Sequence, residues 1–152
     1  MAGGQGAAGG GGARQAVEPP QVVVHHLDQA RAVLAVAAKF GVPVRLRSAP
    51  GAAGYAGVGF LHALGREVGH ELIVDCDDDA GLVLGALRTG CRDVAFSGPA
   101  ETARRLADIA EQLGARLRHE REPPEVLVLA PEDDAGAALQ TRLRAQAGTL
   151  RP

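Results

Sequence analysis

The chain has 152 residues, of which 46% are hydrophobic and only 3% aromatic, and its formal net charge at pH 7 is -2. This length and apolar content suit one domain with a core of Ala, Val and Leu, and they argue against a second domain. The slightly acidic balance, without a cluster of Lys and Arg, argues against non-specific binding to nucleic acid.

The first twenty residues differ in composition from the rest of the chain. They are rich in glycine and end in two prolines, a composition that does not offset the entropy cost of ordering. We therefore expect a disordered tail over 1–20, a single domain over 21–147 and a frayed C-terminus over 148–152. Neither a secretory signal nor an apolar run of about 18 residues is present, so we expect a cytoplasmic protein that does not bind membranes.

Residues 21–48 have the pattern of a strand, a helix and a second strand. An apolar run at 21–25 precedes a helical stripe of Ala, Val and Leu that ends at Gly41, and residues 42–48 form the next strand. Residues 71–98 repeat this order of apolar and polar positions. Such a repeat is typical of any two β/α units, and it is also typical of a duplicated pair.

A glycine-rich segment, SAPGAAGYAGVG, separates these two units and leads into a helical pattern. Glycines at a strand-to-helix junction let backbone N–H groups approach an anion, and the helix N-terminus adds partial positive charge. The spacing matches neither the dinucleotide fingerprint nor the P-loop. The segment therefore indicates either a flexible connection or a cradle for a phosphate or carboxylate group.

The unit at 71–98 is the most regular part of the sequence. It contains a short strand, the acidic stretch DCDDD, an apolar helical stripe that ends at Gly90, and a second strand at 93–96. Parallel strands need a crossover of this kind, so the unit predicts a parallel sheet with helices packed on it. We expect an α/β fold with one parallel sheet of β/α repeats, either as a half-barrel or as a flavodoxin-like open sheet.

The last third of the chain continues the alternation of strands and helices. The residues between Pro99 and Gly114 have the apolar stripe of a helix, and Arg alternates with Leu at 115–119 as in an edge strand. A turn with two prolines follows. A final strand is predicted at 126–129, and a weakly amphipathic helix is predicted at 133–147.

Polar and glycine residues follow the ends of the first predicted strands. Ligands of parallel β/α sheets bind at these carboxyl ends, where loops lead into helices. The residues that we expect to bind a ligand are Ser48, Gly51, Gly54, Tyr55, Gly57, Ser97 and Gly98.

Three residues are candidates for a chemical role: Asp75, Asp77 and His25. The two acids are suited to bind Mg²⁺ or to act as acid and base, and a histidine can carry a proton near neutral pH. The simpler explanation of the acidic stretch is a solvated turn with a helix-capping aspartate. The spacing of the histidines and cysteines does not predict a zinc site.

The order of these elements over about residues 21–119, with the glycine segment and the sequence VAFSGPAETARRL, resembles half of an eight-stranded, phosphate-binding β/α barrel. In that family, glycine-rich loops at strand ends and the helix beyond hold the phosphate. The resemblance implies this role for Gly51, Gly54, Gly57, Ser97 and Gly98. Four barrel strands have no counterpart, so the half-barrel is expected to form a homodimer or to stay open.

A second resemblance is to haloacid-dehalogenase-type phosphatases. Their DxD motif would correspond to Asp75 and Asp77, with Ser97 after the next strand and residues 132–134 as the later acidic pair. That family also needs a Lys between its Ser or Thr and the acidic pair, and no Lys follows Lys39 here. Response-regulator receivers match less well, because their acidic pair belongs on the first strand.

These observations favour a small-molecule module that binds a phosphorylated or carboxylated ligand at the strand ends. One alternative is a Mg²⁺-dependent phosphatase or phosphotransfer enzyme centred on the DCDDD turn. Another is a structural dimerisation domain with an exposed sheet edge. The sequence does not decide whether a reaction is catalysed or which cofactor is needed; if a metal binds, Asp75 and Asp77 are its expected ligands.

Overall fold

The computed structural model describes residues 18–122 and 124–149. These residues form six strands and six helices. The strands are β1 (Gln21–Val23), β2 (Arg45–Arg47), β3 (Leu72–Asp75), β4 (Asp93–Phe96), β5 (Arg116–His119) and β6 (Val126–Leu127). The helices are α1 (Leu27–Phe40), α2 (Ala52–Tyr55), α3 (Val58–Glu67), α4 (Ala80–Thr89), α5 (Ala100–Gln112) and α6 (Ala135–Thr149).

The six strands form one sheet in the order β5-β4-β3-β2-β1-β6, and every neighbouring pair is parallel. The predicted α/β class, with a parallel sheet of β/α repeats, is confirmed. From β1 to β5 the strands lie side by side in chain order, because each crossover steps in the same direction. This order differs from the flavodoxin order 2-1-3-4-5, in which the stepping direction reverses.

Local sequence explains where the helices begin and end. His26 caps α1 and Asp79 caps α4, each through a side-chain atom that accepts a backbone N–H hydrogen bond from the first turn. Gly41 and Gly90 end the same two helices with φ values of 64° and 107°. This left-handed conformation is costly for residues with a β-carbon, so glycine is the natural stop.

One face of the sheet packs against the helices and forms the hydrophobic core. Successive side chains of a strand point to opposite faces, so only alternate residues contribute. On this face the strands contribute Val22, Leu46, Leu72, Val74 and Val94. The helices cover them with small and medium side chains, among them Ala30, Val33, Val83, Ala86, Ala103 and Leu106. The short side chains let helices and sheet approach closely without aromatic residues.

The opposite face of the sheet is charged and concave. Asp93 on β4 accepts hydrogen bonds at 2.6 Å both from Arg45 on β2 and from Arg118 on β5. Arg118 also pairs at 2.7 Å with Glu18, which precedes β1, four strands away. Side chains from strands so far apart meet only if the sheet curves around them.

The connection between β5 and β6 crosses this concave face. It joins the two outermost strands, and no helix lies in its described residues, 120–122 and 124–125. Seven residue steps from His119 to Val126 span at most about 25 Å. A flat sheet of six strands would already be roughly 24 Å wide, and the chain must also return to the opposite end of the strands. The connection is therefore short enough only because the sheet is curved.

Three segments differ from what the sequence predicts. Half of the glycine-rich segment is helical, since residues 52–55 form α2 and α3 begins at Val58. Residues 18–20, assigned to the tail, contact the sheet: Glu18 pairs with Arg118, and the carbonyl of Pro20 accepts a hydrogen bond from Arg45. Helix α6 extends to Thr149, and residues 1–17 and 150–152 lie outside the described part of the chain.

No helix of the described residues is long and apolar enough to cross a membrane. The longest, α6, has 15 residues, fewer than the roughly 20 that a spanning helix needs.

Candidate functional site

A cavity of about 310 Å³ lies on the concave face at the carboxyl ends of the strands. The first four strands and the β5–β6 connection all contribute to its walls. Its apolar walls include Val23, Ala95, Val126 and Val128. Its charged lining consists of Arg47, Asp75, Asp77, Glu120, Arg121 and Glu122. The cavity therefore lies at the edge of the sheet where the sequence predicts a ligand.

Asp75, at the end of β3, is held in place by four hydrogen bonds. One oxygen of its carboxylate lies 2.7 Å from the guanidinium of Arg47. The other oxygen accepts the backbone N–H groups of Gly51 at 3.0 Å and of Asp77 at 2.9 Å. Its own backbone N–H donates to the hydroxyl of Ser48 at 2.8 Å. Both carboxylate oxygens are therefore already engaged within the protein.

Arg47 is the buried cation at the centre of this network. Its guanidinium bridges Asp75 at 2.7 Å and Glu120 at 2.6 Å, and it also donates to the side chain of Gln21 at 3.1 Å. Burial alone would lower the pKa of Arg47, but the hydrogen bonds that it donates to Glu120 and Asp75 outweigh this effect and raise the pKa above its ordinary value. Arg47 therefore stays charged beneath the cavity.

Asp77 has an unusual backbone conformation and lies at the exposed edge of the cavity. Its φ of 53° is in the left-handed region, where Asp and Asn are tolerated better than other residues with a β-carbon. The hydroxyl of Ser97 donates to its Oδ1 at 3.2 Å, and the backbone N–H of Ser97 donates to its carbonyl at 2.8 Å. These bonds link the ends of β3 and β4 and fix the Asp77 carboxylate beside the cavity.

The predicted glycine cradle binds a carboxylate of the protein itself. Gly51, with φ of 68°, points its N–H at Asp75, and none of Gly51, Gly54, Tyr55 and Gly57 lines the cavity. Gly54 lies inside α2, where an added β-carbon would lie 3.6 Å from Leu82, an ordinary contact. Pro50 is the residue of the glycine segment that lines the cavity, whereas Gly51 supports the acidic turn through its hydrogen bond to Asp75.

The other predicted ligand-binding residues have different surroundings. Ser97 lines the cavity, whereas the buried Ser48 holds the backbone of Asp75. Gly98 follows Ser97 in the chain, and a β-carbon added at Gly98 would lie 2.3 Å from the ring of Phe96. Gly98 is thus required for the packing of Phe96.

His25 does not line the cavity. Its Nε2 is within hydrogen-bond distance of the carbonyl of Leu129, and Nε2 of His26 lies 2.9 Å from the carbonyl of Pro131. Gln29 donates to the carbonyl of Ala130 at 2.7 Å. Together these side chains fasten the segment after β6 to the start of α1, which is a structural role.

The sequence reading missed Arg47, Glu120, Arg121 and Glu122. A signal was present, because Arg alternates with Leu both in β2 and in β5. The edge-strand prediction for residues 115–119 places the charged positions of the second pattern in solvent. The strand β2 lies inside the sheet, so the charges at its alternate positions cannot be explained by an exposed edge. The same alternation in β2 and β5 therefore indicates that one face of the sheet is polar.

Two further observations bear on the chemistry of the site. The described residues contain no group of three or more His, Cys, Asp or Glu side chains arranged to hold a metal ion. Comparison with protein-family models, curated protein sequences and solved structures gives no significant match to this chain. The function must therefore be argued from the cavity itself.

Proposed function

We propose that this protein binds a small molecule with a carboxylate or phosphate group in the cavity at the carboxyl ends of its strands. The observation that carries this proposal is Arg121, which lines the cavity, is exposed, and forms no ion pair among the described residues. The other cation of the lining, Arg47, is already bound to two carboxylates. Arg121 is therefore the group available to an anion.

The size and walls of the cavity support a small ligand. Ligand sites usually measure about 300–1,000 Å³ and combine mostly apolar walls with a few polar groups. At about 310 Å³ this cavity is at the lower end of that range. Its apolar walls suit a short hydrocarbon portion, and its charged groups lie on the same lining, so a ligand with an apolar body and a charged head is the best fit.

The start of α5, which follows the lining residue Ser97, adds support for an anionic ligand. Ser97 lines the cavity three residues before α5 begins, and the first turn of α5 has no side-chain cap. Uncapped N–H groups and the helix dipole favour an anion at this end. The N-terminus of α5 would therefore favour an anionic group that lies beside Ser97.

The rival proposal is a Mg²⁺-dependent phosphatase or phosphotransfer enzyme that uses Asp75 and Asp77. Asp77 is exposed at the cavity and is free to contribute a carboxylate oxygen. Asp75 would first have to release Arg47 or two backbone N–H groups, and the guanidinium would repel a cation bound there. The geometry therefore favours binding of a ligand over metal-assisted phosphoryl transfer.

Thermal-shift measurements and calorimetric titration test these two proposals. Inorganic phosphate, sugar phosphates and 4-methylpentanoate are added with and without Mg²⁺. We expect stabilisation by at least one anion without Mg²⁺, and Arg121→Gln should weaken its binding about tenfold. Arg104→Gln, at an exposed arginine of α5 outside the cavity, is the matched control. A strict Mg²⁺ requirement would instead support the enzyme, and no response to any anion would contradict our proposal.

We also propose that the protein is a cytoplasmic homodimer, as the sequence leads us to expect. The sheet has two edges, β5 and β6, and an unpaired edge can accept a strand from a second copy. Size-exclusion chromatography with light scattering tests the dimer. A dimer that binds none of the anions would favour a purely structural role.

A further inference from the structure

The charges around the cavity suit an anion less well than they suit a ligand that also carries a positive group. Four carboxylates line it, from Asp75, Asp77, Glu120 and Glu122, against the two guanidiniums of Arg47 and Arg121. Like charges in a partly desolvated site repel one another and are disfavoured unless they are paired. A lone carboxylate or phosphate would therefore add negative charge to a lining that is already negative.

Two of these carboxylates remain available to a ligand. Asp75 and Glu120 are mostly buried and are bound to Arg47. Glu122 is exposed and forms no ion pair among the described residues. Asp77 is also exposed. Its Oδ1 accepts a side-chain hydrogen bond from Ser97, and its Oδ2 accepts none from the described residues. The same cavity thus presents groups of both signs to a ligand, since Arg121 also forms no ion pair in the described part of the chain.

The backbone of Asp77 is held by its own hydrogen bonds, so the place of this residue beside the cavity does not depend on a surface rotamer alone. It is the one non-glycine residue with positive φ in the described part of the chain. Strained conformations of this kind persist when the surroundings enforce them, and they cluster at binding sites. Here the N–H of Asp77 donates to Asp75, and its carbonyl accepts from Ser97. The carboxylate is therefore pre-positioned beside the cavity.

We infer that the ligand is a zwitterion with a short apolar side chain, as in a free aliphatic α-amino acid. Its carboxylate would pair with Arg121, its ammonium group with Asp77 and Glu122, and its side chain would pack on Val23 and Val128. This inference rests on the proposed function, because it adds a cationic group to the same anionic ligand. A zwitterion adds no net charge, so it removes the conflict with the acidic lining.

A matched series of probes tests the inference by calorimetric titration of the wild-type protein. Leucine carries all three features, 4-methylpentanoate lacks the ammonium group, N-acetyl-leucine masks it, and 3-methylbutylamine lacks the carboxylate. We expect leucine to bind about tenfold or more tightly than each of the others, because it alone forms both charged contacts. Valine and isoleucine extend the series to other aliphatic side chains.

The outcomes separate this inference from the function on which it rests. If 4-methylpentanoate binds as tightly as leucine, the ammonium contact is wrong and the anion-binding function stands. If 3-methylbutylamine binds as tightly as leucine and 4-methylpentanoate does not bind, the anion-binding function itself is wrong. If none of the three amino acids binds while phosphate compounds do, the inference is overturned and the function is supported.

A pair of neighbouring variants gives a second test. Asp77→Asn keeps a residue that tolerates the left-handed conformation but removes the charge. It should weaken leucine binding about tenfold and should not weaken 4-methylpentanoate binding, because the removed charge repels a lone carboxylate. Asp78→Asn removes the charge of another exposed aspartate one residue away, outside the cavity, and should change neither. Equal effects of the two variants would overturn the assignment of the ammonium group to Asp77.

Discussion

The guanidinium of Arg47 lies 2.6 Å from the carboxylate of Glu120, although the two residues are 73 positions apart in the chain. Arg47 is on β2 and Glu120 follows β5, so the contact crosses the concave face. Both side chains are largely buried, with 5% and 17% of their surfaces exposed. Both residues line the cavity, and their contact depends on the curvature of the sheet, which brings the ends of β2 and β5 together.

Arg47→Met should destabilise the protein strongly. It would leave the Asp75 and Glu120 carboxylates buried without their cation, a situation that typically costs about 3–5 kcal/mol. Urea unfolding monitored by circular dichroism measures this change in the free energy of unfolding. Arg31→Met is the control, because Arg31 and its partner Glu67 are more than half exposed and such pairs contribute at most about 1 kcal/mol. Similar losses in the two variants would contradict the structural role of Arg47.

Gly98→Ala should also destabilise the protein, by about 1–3 kcal/mol. The new β-carbon would lie 2.3 Å from the Phe96 ring, which is buried and has little room to move. Gly85→Ala, inside α4, meets no atom within 4 Å and should stabilise the protein by about 0.5–1 kcal/mol through helix propensity. Thermal and urea unfolding of both variants checks these opposite signs, and stabilisation by Gly98→Ala would refute the packing argument.

Glu18 should make stability depend on pH in the acidic range. The hydrogen bond from Arg118, together with the charges of Arg118 and Arg116, lowers the pKa of Glu18 from its ordinary value of 4.5 to about 2. A carboxyl group with a lowered pKa in the folded state stabilises it above the unfolded pKa, and this contribution is lost as the pH falls. The wild type should therefore exceed Glu18→Gln in melting temperature above pH 4.5, and the difference should vanish near pH 2. Glu111→Gln, at a glutamate without an ion pair among the described residues, should show no such trend.

The two cysteines should resist alkylation in the folded protein. Burial raises the pKa of Cys76 to about 12 and that of Cys91 to about 11, and the nearby charge of Asp75 adds to the effect at Cys76. Because the thiolate is the reactive form, iodoacetamide at pH 8 should modify neither residue in the native state. Both should react in urea, as mass spectrometry of the intact protein would show. Rapid native labelling of Cys76 would mean that the end of β3 opens readily.

Local features of the sequence were sufficient for the order and direction of most elements. The apolar stripes and the stops at Gly41 and Gly90 predict the first and central β/α units, and a helical crossover between strands implies that they run parallel. The carboxyl ends of parallel strands lie at one edge of a sheet, and Asp75, Asp77 and Ser97 line one cavity there, while their role in binding a ligand stays a prediction. These inferences succeed because they depend on residues close together in the chain.

Only the tertiary structure decided what these residues contact. The N–H of Gly51 donates to Asp75 and does not line the cavity. Arg118 lies in a segment with the sequence pattern of an edge strand, yet it is buried between Asp93 and Glu18. The cavity itself depends on contacts such as Arg47 with Glu120, between strands that are not neighbours. Side-chain periodicity determines which face of a strand a residue occupies, but it contains no information about the curvature of the sheet. That curvature decides whether charges on the same face meet each other or water.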